Sequence, residues 1–334
     1  MDMTTEAGKP TDANTVRAGG TLALSVIIPT FNGMPWLPEA VESVLEEMRR
    51  LDVEKSQIEL IVIDDGSTDE TQNWIAGFSK TAGSWVRFHR FDKNIGRSAA
   101  RNHGASIAKG TLITFLDSDD LFVPGFCKGV IERFSADPTL EVLCALPVFV
   151  DGSRTVIRKY NLGMAEPEAL VLSAESFLPS GLTLRGSTWR DTGGFDESLH
   201  EREDWDLGIR LVQKNCRIKI DSELTAQIRV HSANNSRNHI RYCRATLTVA
   251  ERSLRAASAV GRKTVIPDIC MNVAKTFLYR DSPFVFKIHA AKYLALALLL
   301  GATQGKIPTG FFSGFLRLLI PRTAVRLTKR LMGL

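Results

Sequence analysis

The first third of the chain alternates between short, nearly unbroken apolar runs and stretches whose apolar positions recur at helical spacing. Residues 22–28 form a β-branched, apolar run that Pro29 stops, followed by the turn Thr30-Phe31-Asn32-Gly33. From Pro35 to Arg50, Leu37, Val41, Val44 and Leu45 share one face of a helix, and a proline in its first turn suits the start. Residues 58–63 read as a second buried strand, after which Ser67 or Thr68 can cap a helix running to Phe78. A shorter strand over 85–91 precedes a helix through Ala108, closed by a basic residue and a glycine at Lys109-Gly110. Residues 111–116 are a fourth strand. This alternation with short turns predicts an α/β architecture, a parallel sheet wound with helices.

Each predicted strand ends in polar residues, so the turns at the carboxyl edge converge where open α/β sheets bind ligands. The fourth runs directly into Asp117-Ser118-Asp119-Asp120. Carboxylates that close repel one another unless a cation is shared, and Mg²⁺ or Mn²⁺ takes hard oxygen ligands of this kind. A solvated acidic loop is the competing explanation. Asp120 reads either as another ligand or as the start of the next helix, with Pro124 in its first turn. Neither GxGxxG nor GxxxxGKS follows any strand, so the dinucleotide and P-loop readings lose most of their support.

Ile28-Pro29-Thr30-Phe31-Asn32, Asp64-Asp65-Gly66-Ser67-Thr68-Asp69, Asn94-Ile95-Gly96-Arg97 through Ala100-Arg101-Asn102, and Leu116-Asp117-Ser118-Asp119-Asp120 stand in the order and spacing of the family 2 glycosyltransferases. The resemblance continues through Gly193-Gly194-Phe195-Asp196-Glu197 and Glu203-Asp204-Trp205-Asp206-Leu207. It implies a GT-A fold, a Rossmann-like wound mixed sheet with a helical extension at the C-terminus. The catalytic domain would span 21–236, with a nucleotide-binding half over 21–120 and an acceptor half over 121–236.

By that resemblance Pro29, Thr30 and Phe31 lie against the nucleotide, Phe31 where relatives stack an aromatic on uracil. Asp65 would accept a hydrogen bond from the pyrimidine; a buried carboxylate opposite an imide N–H discriminates because a base lacking the donor leaves it unpaired. Either Asp64 or Asp65 could instead serve only to cap the turn before Gly66. Arg97 and Arg101 could screen the diphosphate or act as surface ion-pair partners, Arg97 being the better placed at the helix start. Asp117 and Ser118 fall on the nucleotide side, and Asp119 on the divalent metal, Mn²⁺ or Mg²⁺. His231, after a predicted strand over 226–230, is a second metal ligand, a phosphate contact or a structural histidine. Asp204 matches the family's general base, which takes the proton of the acceptor hydroxyl in an inverting displacement; alone it reads equally as an acidic first helical turn. Trp205 packs beneath an acceptor sugar or anchors its helix. The Q-x-x-R-W pattern of processive relatives is absent, which favours addition of a single sugar.

Charge changes the picture at one end only. From Asp281 onward eight Lys and Arg face a single acid, whereas the remainder carries 34 basic and 36 acidic residues. A near-neutral body argues against a nucleic-acid groove, and a basic tail suits an anionic membrane. Residues 1–20 read as a disordered arm and 237–334 as a helical, basic, amphipathic region. Within the latter, Phe311–Ile320 followed by Arg322, Arg326, Lys329 and Arg330 resembles an interfacial helix broken at Pro321, or one packed on the body or on a second subunit. No apolar run reaches the length of about 18 residues that a membrane span needs. Five scattered cysteines without a CxxC pair suit a reducing cytosol.

Together these point to a metal-dependent enzyme at the cytoplasmic face of a membrane. It would move one sugar from a UDP-hexose to a saccharide or lipid-linked saccharide in surface polysaccharide assembly. The alternatives are a sugar nucleotidyltransferase, which lacks its glycine-rich loop here, and a non-catalytic nucleotide-sugar-binding protein at the membrane.

Overall fold

The computed structural model describes residues 23–51, 57–151, 153, 156–159, 166–172, 178–231, 239–259, 265–279 and 284–303. The arm at 1–20 and the basic stretch at 311–330 lie outside them. The elements begin β1 (Leu24–Thr30), α1 (Leu37–Arg50), β2 (Ile58–Asp64), α2 (Thr71–Phe78), β3 (Val86–Arg90), α3 (Arg97–Ile107) and β4 (Leu112–Phe115). They continue with β5 (Leu121–Phe122), α4 (Phe126–Ala136), β6 (Val142–Val150), β7 (Val156–Lys159), α5 (Pro167–Leu172), β8 (Leu182–Arg185), α6 (Gly186–Thr192), α7 (Glu203–Gln213) and β9 (Ile218–Arg229). Three helices close the described chain: α8 (His239–Ala259), α9 (Ile266–Tyr279) and α10 (Phe284–Thr303).

These strands form one mixed sheet in the order β3-β2-β1-β4-β8-β6-β9-β5, with β7 added on β6. The first four are parallel, whereas β8 runs antiparallel to both β4 and β6. Every residue of β1, β2 and β4 is buried, as expected for strands covered on both faces. Alternate side chains divide between two cores. Ile27, Ile61, Ile63 and Phe115 face α3 and α7, while Val26, Ile28, Leu60 and Val62 face α1 and α4. Helix α3 lies so close to the sheet that a Cβ on Gly104 would stand 2.5 Å from the Ile27 side chain. The first core extends through α7 into the C-terminal helices, taking in Cys243, Val249, Ile269, Phe277 and Leu294. Those helices share the interior of the α/β body.

Several local expectations are corrected. Pro29 does not end β1: the strand pairs with β2 through Thr30, and pairing with β4 stops at Ile27, so a missing N–H costs nothing on that side. Neither Ser67 nor Thr68 caps α2; the Thr71 amide donates to Asp69 Oδ1 at 3.0 Å. Asp120 does not begin a helix, because β5 intervenes and α4 starts only after Gly125. The strand expected at 226–230 is the end of the 12-residue β9. All five cysteines are buried free thiols. Among the described residues no helix is long and apolar enough to cross a membrane.

Candidate active site

The turns leaving β1 and β2 are laced together by backbone amides. The Asn32 amide donates to Ser67 Oγ (2.9 Å), Gly33 to Thr71 Oγ1 (3.0 Å) and Met34 to Asp69 Oδ2 (3.2 Å). The paired aspartates divide their work. Asp64 caps the turn by accepting the Ser67 amide at 2.9 Å and pairs with Arg90. Asp65 faces the other way and accepts the amides of Ile95 (2.7 Å) and Gly96 (2.9 Å). Burial raises its carboxyl above the ordinary value, with those two amides opposing the shift. Gly66 permits this approach: its φ is +73°, and a Cβ there would lie 2.5 Å from the Lys93 carbonyl carbon.

Helix α3 joins the first half of the sheet to the loop before α7. Asn102 donates to the Phe195 carbonyl (2.9 Å) and accepts its amide (2.9 Å), and Ser98 donates to the Leu199 carbonyl (3.2 Å). Arg101 is wholly buried, joined to Asp117 and, at 2.9 Å, to Glu203. Burial works against its charge, but those two carboxylates outweigh it and hold the guanidinium protonated. Arg97 is more exposed and lies 3.5 Å from Glu203 and 3.3 Å from Glu201. Of the two alternatives for these arginines, a surface ion pair fails for Arg101, which is buried with Glu203 of α7 against it.

Three carboxylates in sequence take three directions. Asp117 turns to Arg101, and its amide donates to Ser180 Oγ at 3.1 Å. Asp119 Oδ2 lies 3.2 Å from His231 Nε2; burial raises its carboxyl and the Asp117 charge adds to this, while His231 opposes it. Asp120 is buried, accepting Ser180 Oγ–H (2.6 Å) and the Arg229 amide (3.1 Å), and burial lifts its carboxyl well above the ordinary range. His231 stacks on Trp36, centroids 4.7 Å apart, and the Arg229 guanidinium lies 4.8 Å from the centroid of the same Trp36 ring.

These groups surround a cleft of about 700 Å³. Its walls include Pro29, Thr30, Phe31 and Asp65 from the first two turns, and Arg97 from α3. Asp117, Ser118, Asp119 and His231, also singled out in the sequence, line it as well. Phe31 is 47% exposed, an open ring face at the rim. The Thr30 hydroxyl is tucked instead under Gly33. Asp204 is not part of the lining; it sits in the first turn of α7. Its neighbour Glu203 is neutralised by arginines, whereas Asp204 has burial and the Glu203 charge raising its carboxyl to about 6. Trp205 anchors the helix: it is buried and its indole N–H donates to the Leu172 carbonyl at 3.0 Å. Trp36, His200 and Arg241 also line the cleft and were not anticipated.

A wound sheet whose strand-end turns gather carboxylates, a histidine and an arginine round one cleft has the build of an α/β enzyme whose site lies at the carboxyl edge of its parallel strands. Residues 25–190 match the sequence profile of Glycosyl transferase family 2, and the chain belongs to that family. It is 32% identical over 184 residues to a pre-mycofactocin glycosyltransferase of Mycobacterium tuberculosis, covering 52% of this chain and only 38% of the relative. Succinoglycan biosynthesis protein ExoU of Rhizobium meliloti is 29% identical, covering 70% of this chain and 69% of that protein. The crystal structure of S. aureus TarS 1-349 in complex with UDP-GlcNAc superimposes with a TM-score of 0.61 at 18% identity, covering 86% of this chain and 82% of TarS. That likeness shows the fold to be GT-A.

Proposed function

We propose that the chain transfers a single hexose, with inversion, from a UDP-sugar to a saccharide or lipid-linked saccharide during surface polysaccharide assembly. The observation that carries this reading is the cleft itself, whose volume of about 700 Å³ is lined by both the Asp65 turn and the Asp117–Asp119 turn. A relative in succinoglycan biosynthesis and a structural neighbour that binds UDP-GlcNAc support the substrate class.

In this reading Phe31 stacks on the base and Asp65, already held by two amides, presents its remaining lone pairs to the pyrimidine. Asp117 takes the ribose side, with Ser118 beside it, and Arg97 faces the diphosphate. Asp119 and His231, whose Oδ2 and Nε2 lie 3.2 Å apart, are the residues that would hold a divalent ion such as Mn²⁺ or Mg²⁺. When bound, that ion would supply Lewis-acid neutralisation of the charge on the leaving diphosphate. Asp204 removes the acceptor hydroxyl's proton as that oxygen bonds to the anomeric carbon and the bond to the diphosphate breaks. With its carboxyl near 6, Asp204 is ionised at neutral pH and basic enough to accept that proton.

The test is a thermal-shift comparison of UDP, GDP, CDP and ADP with and without Mn²⁺. UDP is expected to stabilise most, and a chelator to abolish the effect; equal shifts for all four diphosphates would remove the Asp65 assignment. We place the enzyme at the cytoplasmic face of the membrane, held peripherally through its basic C-terminal stretch. Sedimentation with anionic liposomes should be lost on truncation after Gly310, and undiminished binding by the truncated chain would rule the stretch out as the anchor.

A further inference from the structure

The residue just before the Glu203-Asp204 pair has an unusual backbone and an unusual set of partners. Arg202 adopts φ +65°, a left-handed conformation that a long side chain rarely takes, and its carbonyl accepts the Asp206 amide at 3.0 Å as the first bond of α7. Its side chain turns away from the cleft into the C-terminal helices. Nε donates to Thr246 Oγ1 of α8 at 3.2 Å, and Nη2 to Thr276 Oγ1 of α9 at 3.2 Å. The guanidinium lies 4.5 Å from the Tyr242 ring centroid and 5.6 Å from that of Trp205. Two helices outside the stretch matched to the family thus hold the side chain of the residue at the entry to α7.

We propose that Arg202 is a positioning residue for Asp204, and that α8 and α9 form part of the catalytic unit by gripping it. The inference rests on the reading of Asp204 as the general base. A left-handed residue at the helix entry fixes the direction in which the next two side chains leave the backbone. At a site where a misplacement of about 1 Å can cost roughly a hundredfold in rate, that direction matters. The charge matters as well. Four groups act on the Asp204 carboxyl: Glu203 raises its proton affinity, while Arg202, Arg101 of α3 and the Trp205 amide lower it. Arg101 is already committed to Asp117 and Glu203, which leaves Arg202 as the cation whose other partners are neutral hydroxyls and rings. A second clamp from α8 fixes the same helix: Arg252 joins Asp206 of α7 and, at 3.1 Å, Asp196.

The experiment compares full-length wild type with Arg202→Gly, Arg202→Met, Arg202→Lys and Asp204→Asn. Glycine accepts the left-handed backbone without strain, so Arg202→Gly separates loss of the side chain from failure to fold. The first readout needs no turnover: the Asp204 carboxyl resonance of ¹³C-aspartate-labelled protein, identified by its disappearance in Asp204→Asn, is titrated with pH. It should titrate at higher pH in the Gly and Met variants and stay near the wild-type position in Lys, which keeps the charge. The second readout is UDP release from UDP-glucose, UDP-galactose and UDP-N-acetylglucosamine, with UDP affinity measured by calorimetry. The Gly and Met variants should lose about tenfold or more in kcat, with UDP affinity and donor KM within about twofold of wild type. An unmoved titration with unchanged kcat in Arg202→Gly overturns the proposal, as does a parallel loss of UDP affinity and melting temperature, which marks a merely structural arginine. Full turnover in Asp204→Asn removes the base assignment beneath it, whereas an inactive Asp204→Asn beside a wild-type-like Arg202→Gly defeats the positioning role alone.

Discussion

The two acidic clusters of this chain look alike in sequence and end in opposite electrostatic conditions. In Asp117-Ser118-Asp119-Asp120 each carboxylate finds its own partner: Arg101, His231, and a buried pocket of Ser180 and the Arg229 amide. In Glu201-Arg202-Glu203-Asp204 the glutamates are taken by Arg97 and Arg101, and among the described residues no guanidinium lies at ion-pair distance from Asp204. Arg101 belongs to both clusters, bridging Asp117 to Glu203. The comparison shows that crowding of carboxylates says little about their chemistry. What separates the carboxylates is how the arginines around them are already engaged, and the general-base role proposed for Asp204 depends on that difference.

The hardest test of that contrast is Asp204→Asn. A general base contributes about 10²- to 10⁴-fold, so kcat should fall by roughly that factor while UDP affinity holds. Wild-type kcat should also decline as pH drops below about 6, because a proton then occupies the carboxyl that burial and Glu203 have raised. A pH profile flat to pH 5 would show that Asp204 does not titrate as the base.

Much of this was legible in the chain because strand ends are legible. An apolar run that terminates in Asp65 or Asp117 places its carboxylate at the carboxyl edge of a parallel sheet whatever the rest of the fold does. The partners were not legible. Arg101 on a helix reads as a surface residue until Glu203, 102 positions later, folds over it. The stacking of His231 on Trp36 joins segments nearly two hundred residues apart, and nothing local in either announces it. The antiparallel strands were equally hidden: β5 has two residues and β8 four, too few to display a period of two.

An intermediate effect is expected at Asp119. With Mn²⁺ present, Asp119→Asn should weaken UDP binding by at least about tenfold, the order seen even when an outer partner of a metal ligand is lost. Without metal the two proteins should bind alike. A loss that is the same with and without Mn²⁺ would make the Asp119–His231 pair a phosphate or structural contact rather than a metal seat.

The smallest effect belongs to Asp120, whose carboxyl the fold uses without exposing it. Replacing it with alanine strands the Ser180 hydroxyl and the Arg229 amide, at a cost of about 1–3 kcal/mol for each buried group left unpaired. Asparagine keeps an acceptor oxygen and should cost less than alanine. The sign of the pH dependence discriminates further. Because burial raises Asp120, the native state keeps a proton that the unfolded chain gives up once pH passes the ordinary carboxylate range. The unfolded state then binds fewer protons, so this site's contribution to stability falls as pH rises toward the raised value. Wild type should therefore exceed Asp120→Asn in melting temperature most clearly at low pH, with the gap closing as pH increases. A gap that widens instead would mean that Asp120 is ionised in the folded protein, making it a second charged neighbour for Asp119 rather than a neutral strut behind it.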